Sequence, residues 1–139
     1  MIQRQSHSVI YVIDQQEALA FYRDTLGFEV RTDMPMNDAG TLRWVTVSPK
    51  GQPDLEIVLM PVTEGPMIDA ETAGHVKTLV ENGAFGVGVF ETDDIHSDHK
   101  RLSRQGVEFV SPPREQFYGT EAIVKDNCGN WFSLTQPKK

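Results

Sequence analysis

The sequence predicts an α+β fold made of two similar βαβββ modules, and three observations predict it. An apolar, β-branched run leads into an acid-capped helical pattern near residue 14, and the same order returns near residue 94. Each helical pattern stops at a glycine, Gly27 and Gly106. Each half closes on two β-rich runs joined by a turn. Asp14 and Asp94 stand 80 positions apart (94 − 14), and Gly27 and Gly106 stand 79 apart (106 − 27). So small a drift over a strand-helix unit marks an internal duplication, a supersecondary unit that buries its apolar face against neighbouring structure.

Module one, about residues 5–60, opens on His7 to Ile13, an apolar and β-branched run that suits a strand. Asp14 follows at an N-cap position, with Glu17 three residues on as in a capping box. Ala18, Leu19, Phe21, Tyr22 and Leu26 recur at helical spacing. Gly27 sits where a helix C-cap glycine belongs, and Phe28-Glu29-Val30 begins the next strand. Residues 31–42 are expected to form a long loop. Trp44 to Val47, the turn Ser48 to Pro53 and Leu55 to Met60 read as a hairpin.

A connector of about residues 61–84 carries a helix from Ala70 to Asn82, ended by Gly83. Module two, about residues 85–136, repeats the grammar. Val87 to Thr92 is a strand, Asp93-Asp94 caps a helix through Ile95 and Leu102, and Val107 to Val110 is the next strand. Residues 111–119, with Pro112 and Pro113, are expected to form a second long loop. Glu121 to Lys125 and Trp131 to Thr135 flank a turn at Asp126 to Asn130.

The 139 residues suit one compact domain, 1–139, holding both modules. A net charge of −7 gives no counterion-release gain from nucleic acid and opposes docking on an anionic membrane surface. No apolar run nears the roughly 18 residues of a membrane span. The N-terminus lacks the apolar core of a secretory signal, and the one cysteine, Cys128, forms no internal disulfide. A cytoplasmic location is expected.

Asp14, Ala18, Phe21-Tyr22 and Leu26-Gly27-Phe28, together with Asp93-Asp94 and Asp126-Asn127-Cys128-Gly129-Asn130, resemble motifs of one family. It is the vicinal oxygen chelate superfamily, which includes glyoxalases, bleomycin resistance proteins and extradiol dioxygenases. Asn127 and Cys128 replace that family's usual Pro and Asp. The resemblance implies a cup-shaped mixed sheet with helices on its outer face, a metal or organic ligand in the cup, and a homodimer.

It also implies metal positions at His7 and Glu56 in module one, with Val87 and Ser133 standing where the other two ligands would fall. Neither Val nor Ser suits a divalent metal, so a Zn, Ni, Mn or Fe ion is weakly held or absent on this reading. A carboxylate inside an apolar strand is costly to bury without a partner, so Glu56 is the most informative polar residue. It pairs with an arginine such as Arg43, lies exposed on an edge, or orients His7 as a catalytic base. Strand alternation points Tyr11, Trp44, Val58, Met60, Tyr118, Glu121 and Trp131 at a ligand, an aromatic and methionine lining suited to an apolar or aromatic molecule. His96 and His99 on the second helix read as solvated, as does His75, and Cys128 as incidental. The leading functional expectation is a small-molecule binder with an incomplete metal site. The alternatives are a lyase, isomerase or dioxygenase using His7 and Glu56, and a dimeric interaction module without a ligand.

Overall fold

Capped helices and alternating strands build two four-stranded mixed sheets in the computed structural model, which describes residues 1–139. The chain forms two compact units, Met1–Gly74 and His75–Lys139.

In the first unit, β1 (His7–Val12) runs parallel to β4 (Glu56–Pro61), and β3 (Arg43–Ser48) and β2 (Glu29–Pro35) follow antiparallel, in the order β1-β4-β3-β2. The helix α1 (Gln15–Ala20) starts where Asp14 Oδ1 accepts the Glu17 amide at 2.9 Å. It continues as a π-helical turn over Phe21–Thr25. Gly27 then turns the chain at φ +79°, a backbone state that favours glycine. Gln15 Nε2 ties the helix to the sheet by donating to the carbonyls of Arg43 and Leu59 at 3.1 and 3.0 Å. The core on this side comprises Ile10, Val12, Val45, Val47, Ile57 and Leu59 of the sheet with Ala18, Leu19, Phe21 and Tyr22, all buried.

The second unit repeats the order as β5-β8-β7-β6, from β5 (Gly86–Glu91), β6 (Phe109–Gln116), β7 (Gly119–Lys125) and β8 (Trp131–Pro137). The helix α2 (Ala70–Glu81) spans the boundary between the units in sequence, and α3 (Ile95–Arg104) is capped by Asp94, whose Oδ1 accepts the Ser97 amide. Ile95 and Leu102 join Ala122, Val124, Phe132 and Leu134 among the buried side chains. Asp126 Oδ1 accepts the amides of Cys128, Gly129 and Asn130, which folds the β7–β8 turn on itself.

Two expected loops are strand for much of their length. Residues 31–35 belong to β2, and residues 111–116, prolines included, belong to β6. Both are edge strands. Proline lacks the amide that an inner strand needs, but an edge tolerates it, and register shifts at Ser111 and Arg114 absorb the irregularity.

Candidate functional site

Register places the sequence-predicted residues of module one on a single sheet face. His7 stands opposite Glu56, Val9 opposite Val58 and Tyr11 opposite Met60. Thr46 stands opposite Val58 on one side and Thr32 on the other, and Trp44 opposite Met34. This face is turned away from the buried residues between sheet and α1, because side chains alternate along a strand. It is apolar and uncovered: Val9, Tyr11 and Met34 are 51%, 40% and 53% exposed. Trp44 and Met60 are half-buried, whereas Val58 is fully packed beneath them.

A polar network closes one end of the face. Glu56 Oε2 lies 3.0 Å from His7 Nε2. Glu56 Oε1 accepts the hydroxyls of Thr46 at 2.7 Å and Thr32 at 2.9 Å. Those two hydroxyls, Thr46 first, hold the Glu56 carboxyl below the ordinary range against the opposing cost of burial, and His7 adds to the effect. The ionised carboxylate only accepts, so Nε2 carries a proton toward it. The other ring nitrogen, Nδ1, lies 2.8 Å from Ser6 Oγ, so both imidazole nitrogens are engaged. The His7 ring lies 6.2 Å from the Trp44 ring.

Arg43 is not the partner of Glu56. Its guanidinium pairs with both oxygens of Asp33, at 3.1 and 2.7 Å, and with Gln16. Arg43 alternates with Trp44 on β3 and so points to the opposite side from Glu56.

In module two, β7 and β8 bring Glu121, Ile123 and Lys125 to one face with Thr135, Ser133 and Trp131. Glu121 Oε2 accepts the Ser133 hydroxyl at 2.5 Å and Oε1 accepts the Tyr118 hydroxyl at 2.6 Å. Ser133 Oγ also lies 3.0 Å from Thr135 Oγ1. These donors, Ser133 first, hold the Glu121 carboxyl below its usual range, and the neighbouring carboxylate raises the Tyr118 phenol. Val87 falls in an irregular stretch between Gly86 and Val89, and Val89, not Val87, stands opposite Ser133. The indole of Trp131 lies across Gly86, where a Cβ would come within 2.5 Å of the ring.

The residues present do not fit a resident metal within either unit. No group of three or more His, Cys, Asp or Glu converges anywhere in the chain. His7 and Glu56 supply two donors already spent on one another, and a catalytic divalent site takes three protein ligands. His99 packs its ring against Phe109 at 4.5 Å, and His96 is exposed. A cavity of about 360 Å³ with a mixed polar and apolar lining opens elsewhere in module two, among His96, Glu115, Gln136, Pro137, Lys138 and Lys139.

Sequence reasoning missed Ser6, Thr32, Thr46 and Thr135. Alternation from Trp44 would have found Thr46, and from Ser133 Thr135. Thr32 carried no such signal, because its strand read as loop.

Comparison with known proteins gives one consistent result. The family model described as Glyoxalase/Bleomycin resistance protein/Dioxygenase superfamily matches residues 4–134. The solved structure of UcmS2 is 45% identical, covering 97% of this chain and 98% of that one, at a TM-score of 0.88. TnmS3, an antibiotic binding protein from Streptomyces sp. CB03234, is 29% identical over 99% of this chain and 98% of its own, at a TM-score of 0.75. The uncharacterized protein YurT of Bacillus subtilis (strain 168) is 34% identical over 91% of this chain and 94% of its own.

Proposed function

Because this chain belongs to the glyoxalase/bleomycin resistance protein/dioxygenase superfamily, we propose that it binds a small apolar or aromatic molecule rather than transforming one. The observation that carries this reading is the uncovered face of the first sheet. Val9, Tyr11, Met34, Trp44 and Met60 offer apolar area, and the Glu56 network sets a polar boundary at one end. An aromatic ring laid on Trp44 and Tyr11 gains stacking as well as burial, and methionines adapt to an irregular outline. A few fixed polar groups beside such a lining select orientation. The similarity to an antibiotic binding protein supports the same reading.

An enzyme reading on His7 and Glu56 has less behind it. A general base needs a ring nitrogen within reach of the substrate proton. Here Nε2 faces Glu56 and Nδ1 faces Ser6. Two protein ligands also fall short of the three that hold a catalytic divalent metal. In this proposal the protein acts in the cytoplasm as a homodimer, and nucleic acid and membrane are not partners.

The test is a titration with planar aromatic compounds, followed by indole fluorescence and by thermal shift. A binder raises the melting temperature by mass action. Trp44→Leu is expected to weaken binding about tenfold or more, the scale of one lost aromatic contact with its buried area. A panel with no binder at millimolar concentration, or affinity unchanged in both Trp44→Leu and Tyr11→Ala, overturns the proposal.

A further inference from the structure

At the polar end of the first sheet's uncovered face, the donors around Glu56 are spent and acceptors remain. Thr46 and Thr32 both give their hydroxyl protons to Glu56 Oε1, at 2.7 and 2.9 Å. His7 Nε2 turns its proton to Glu56 Oε2 at 3.0 Å. An ionised carboxylate offers about four lone-pair directions and no donor. Two are taken on Oε1 and one on Oε2, so Oε2 keeps one. The Glu56 side chain is 28% exposed, which leaves that lone pair open to a ligand. Thr32 is half-buried, and its hydroxyl oxygen, with its proton given to Glu56, can only accept.

The same network adjoins the aromatic lining. Along β1 and β4 the face carries His7 and Glu56, then Val9 and Val58, then Tyr11 and Met60. On β3, Trp44 follows Thr46 at the next position of the same face. The rings of His7 and Trp44 approach to 6.2 Å between centroids, at an interplanar angle of 54°. An aromatic ring seated on Trp44 therefore has the His7–Glu56 pair as its neighbour, over the apolar floor of Val9 and Val58. All of these residues belong to the first compact unit.

We infer that Glu56 selects, on this face, an aromatic ligand that carries a hydrogen-bond donor, a phenolic hydroxyl or a ring N–H. The inference deepens the small-molecule reading above and rests on it for the stacked ring. The ligand's O–H or N–H donates to the remaining lone pair of Glu56 Oε2, while Thr32, Thr46 and His7 keep their places. An ether oxygen in that position meets a lone pair with no proton between them. A carboxylate adds repulsion between like charges.

The experiment titrates the full chain by calorimetry at pH 7, in a fixed cosolvent, with 2-naphthol, 2-methoxynaphthalene and 2-naphthoate. The naphthol is expected to bind about tenfold tighter than the ether, the scale of one hydrogen bond to a charged acceptor, and the naphthoate more weakly than both. Glu56→Gln is expected to change the order. The threonine hydroxyls hold its amide oxygen, so an amide N–H replaces Oε2, and the naphthol loses its advantage over the ether while the naphthoate gains. Glu64→Gln, which removes the same charge from an exposed position in the first unit, is expected to keep the parent order. Equal affinity for naphthol and ether in the parent, a comparison that needs no variant to fold, overturns the inference. So does a naphthol preference that survives Glu56→Gln or disappears in Glu64→Gln. Ether binding that Trp44→Leu weakens, with no naphthol preference, overturns the inference and leaves the aromatic-binding reading standing. A naphthol preference lost in Glu56→Gln, with affinities indifferent to Trp44→Leu, sustains donor selection by Glu56 while removing the stacked ring. No binding of any probe overturns both.

Discussion

Thr46 shows how one side chain decides the chemistry of another. It is fully buried, and its hydroxyl donates to Glu56 at 2.7 Å. Thr46→Val keeps the shape and removes the donor. The expected loss is about 1.5–3 kcal/mol, the range for a hydrogen bond to a charged group, read by urea denaturation at neutral pH. Glu56→Gln is the complementary change. It keeps an acceptor for the threonines but places a neutral amide against His7. Its expected signature is a change in acid stability rather than a uniform loss. The Glu56 carboxyl is held below its ordinary range in the folded protein. Its contribution is therefore complete above the unfolded carboxylate range and lost as pH falls through the lowered folded value. Stability measured from pH 7 downward is expected to fall less steeply in Glu56→Gln than in the parent. An identical slope in both proteins counts against the ionised Glu56 network.

At the scale of elements, two glycines hold more than their size suggests. Gly129 sits in the β7–β8 turn at φ +115°, and a Cβ there would lie 2.3 Å from the Val80 carbonyl oxygen near the end of α2. Gly129→Ala therefore strains the backbone and drives α2 from the turn. A loss of about 2 kcal/mol or more is expected in a denaturant titration. Gly86→Ala meets a side chain instead of backbone, since the added methyl would touch the Trp131 indole. The expected outcome is a milder loss with a shifted Trp131 emission, because a ring can tilt where a carbonyl cannot. Helix capping is the third element-level term. Asp14→Ala removes the acceptor of the Glu17 amide and is expected to cost about 1 kcal/mol by thermal unfolding.

For the whole molecule, the duplication leaves two units with the same strand order and one hydroxyl-held carboxylate each, Glu56 and Glu121. The two carboxylates differ in their remaining partner, imidazole in one and phenol in the other. Both are depressed, so the Glu56→Gln, Glu121→Gln double variant is expected to be less stable than the parent at pH 7 and to approach it as the pH drops. Acid titration followed by far-ultraviolet circular dichroism measures this. A constant gap at all pH values would show that the two groups act by packing alone.

The duplication, the two caps at Asp14 and Asp94, and the turns at Gly27 and Gly106 were legible in the sequence alone. Those features are local or periodic, and physical rules of capping, turn chemistry and alternation act over a few residues. The tertiary structure decided what periodicity does not encode. It extended β2 and β6 through segments that read as loop, because edge strands need only one neighbour and accept proline. It gave Arg43 to Asp33 and assigned Glu56 to His7, Thr32 and Thr46, because partners in a sheet are set by register between strands distant in sequence. It set Val89 rather than Val87 opposite Ser133, because the chain is irregular after Gly86, and an offset counted along the sequence does not register such a shift.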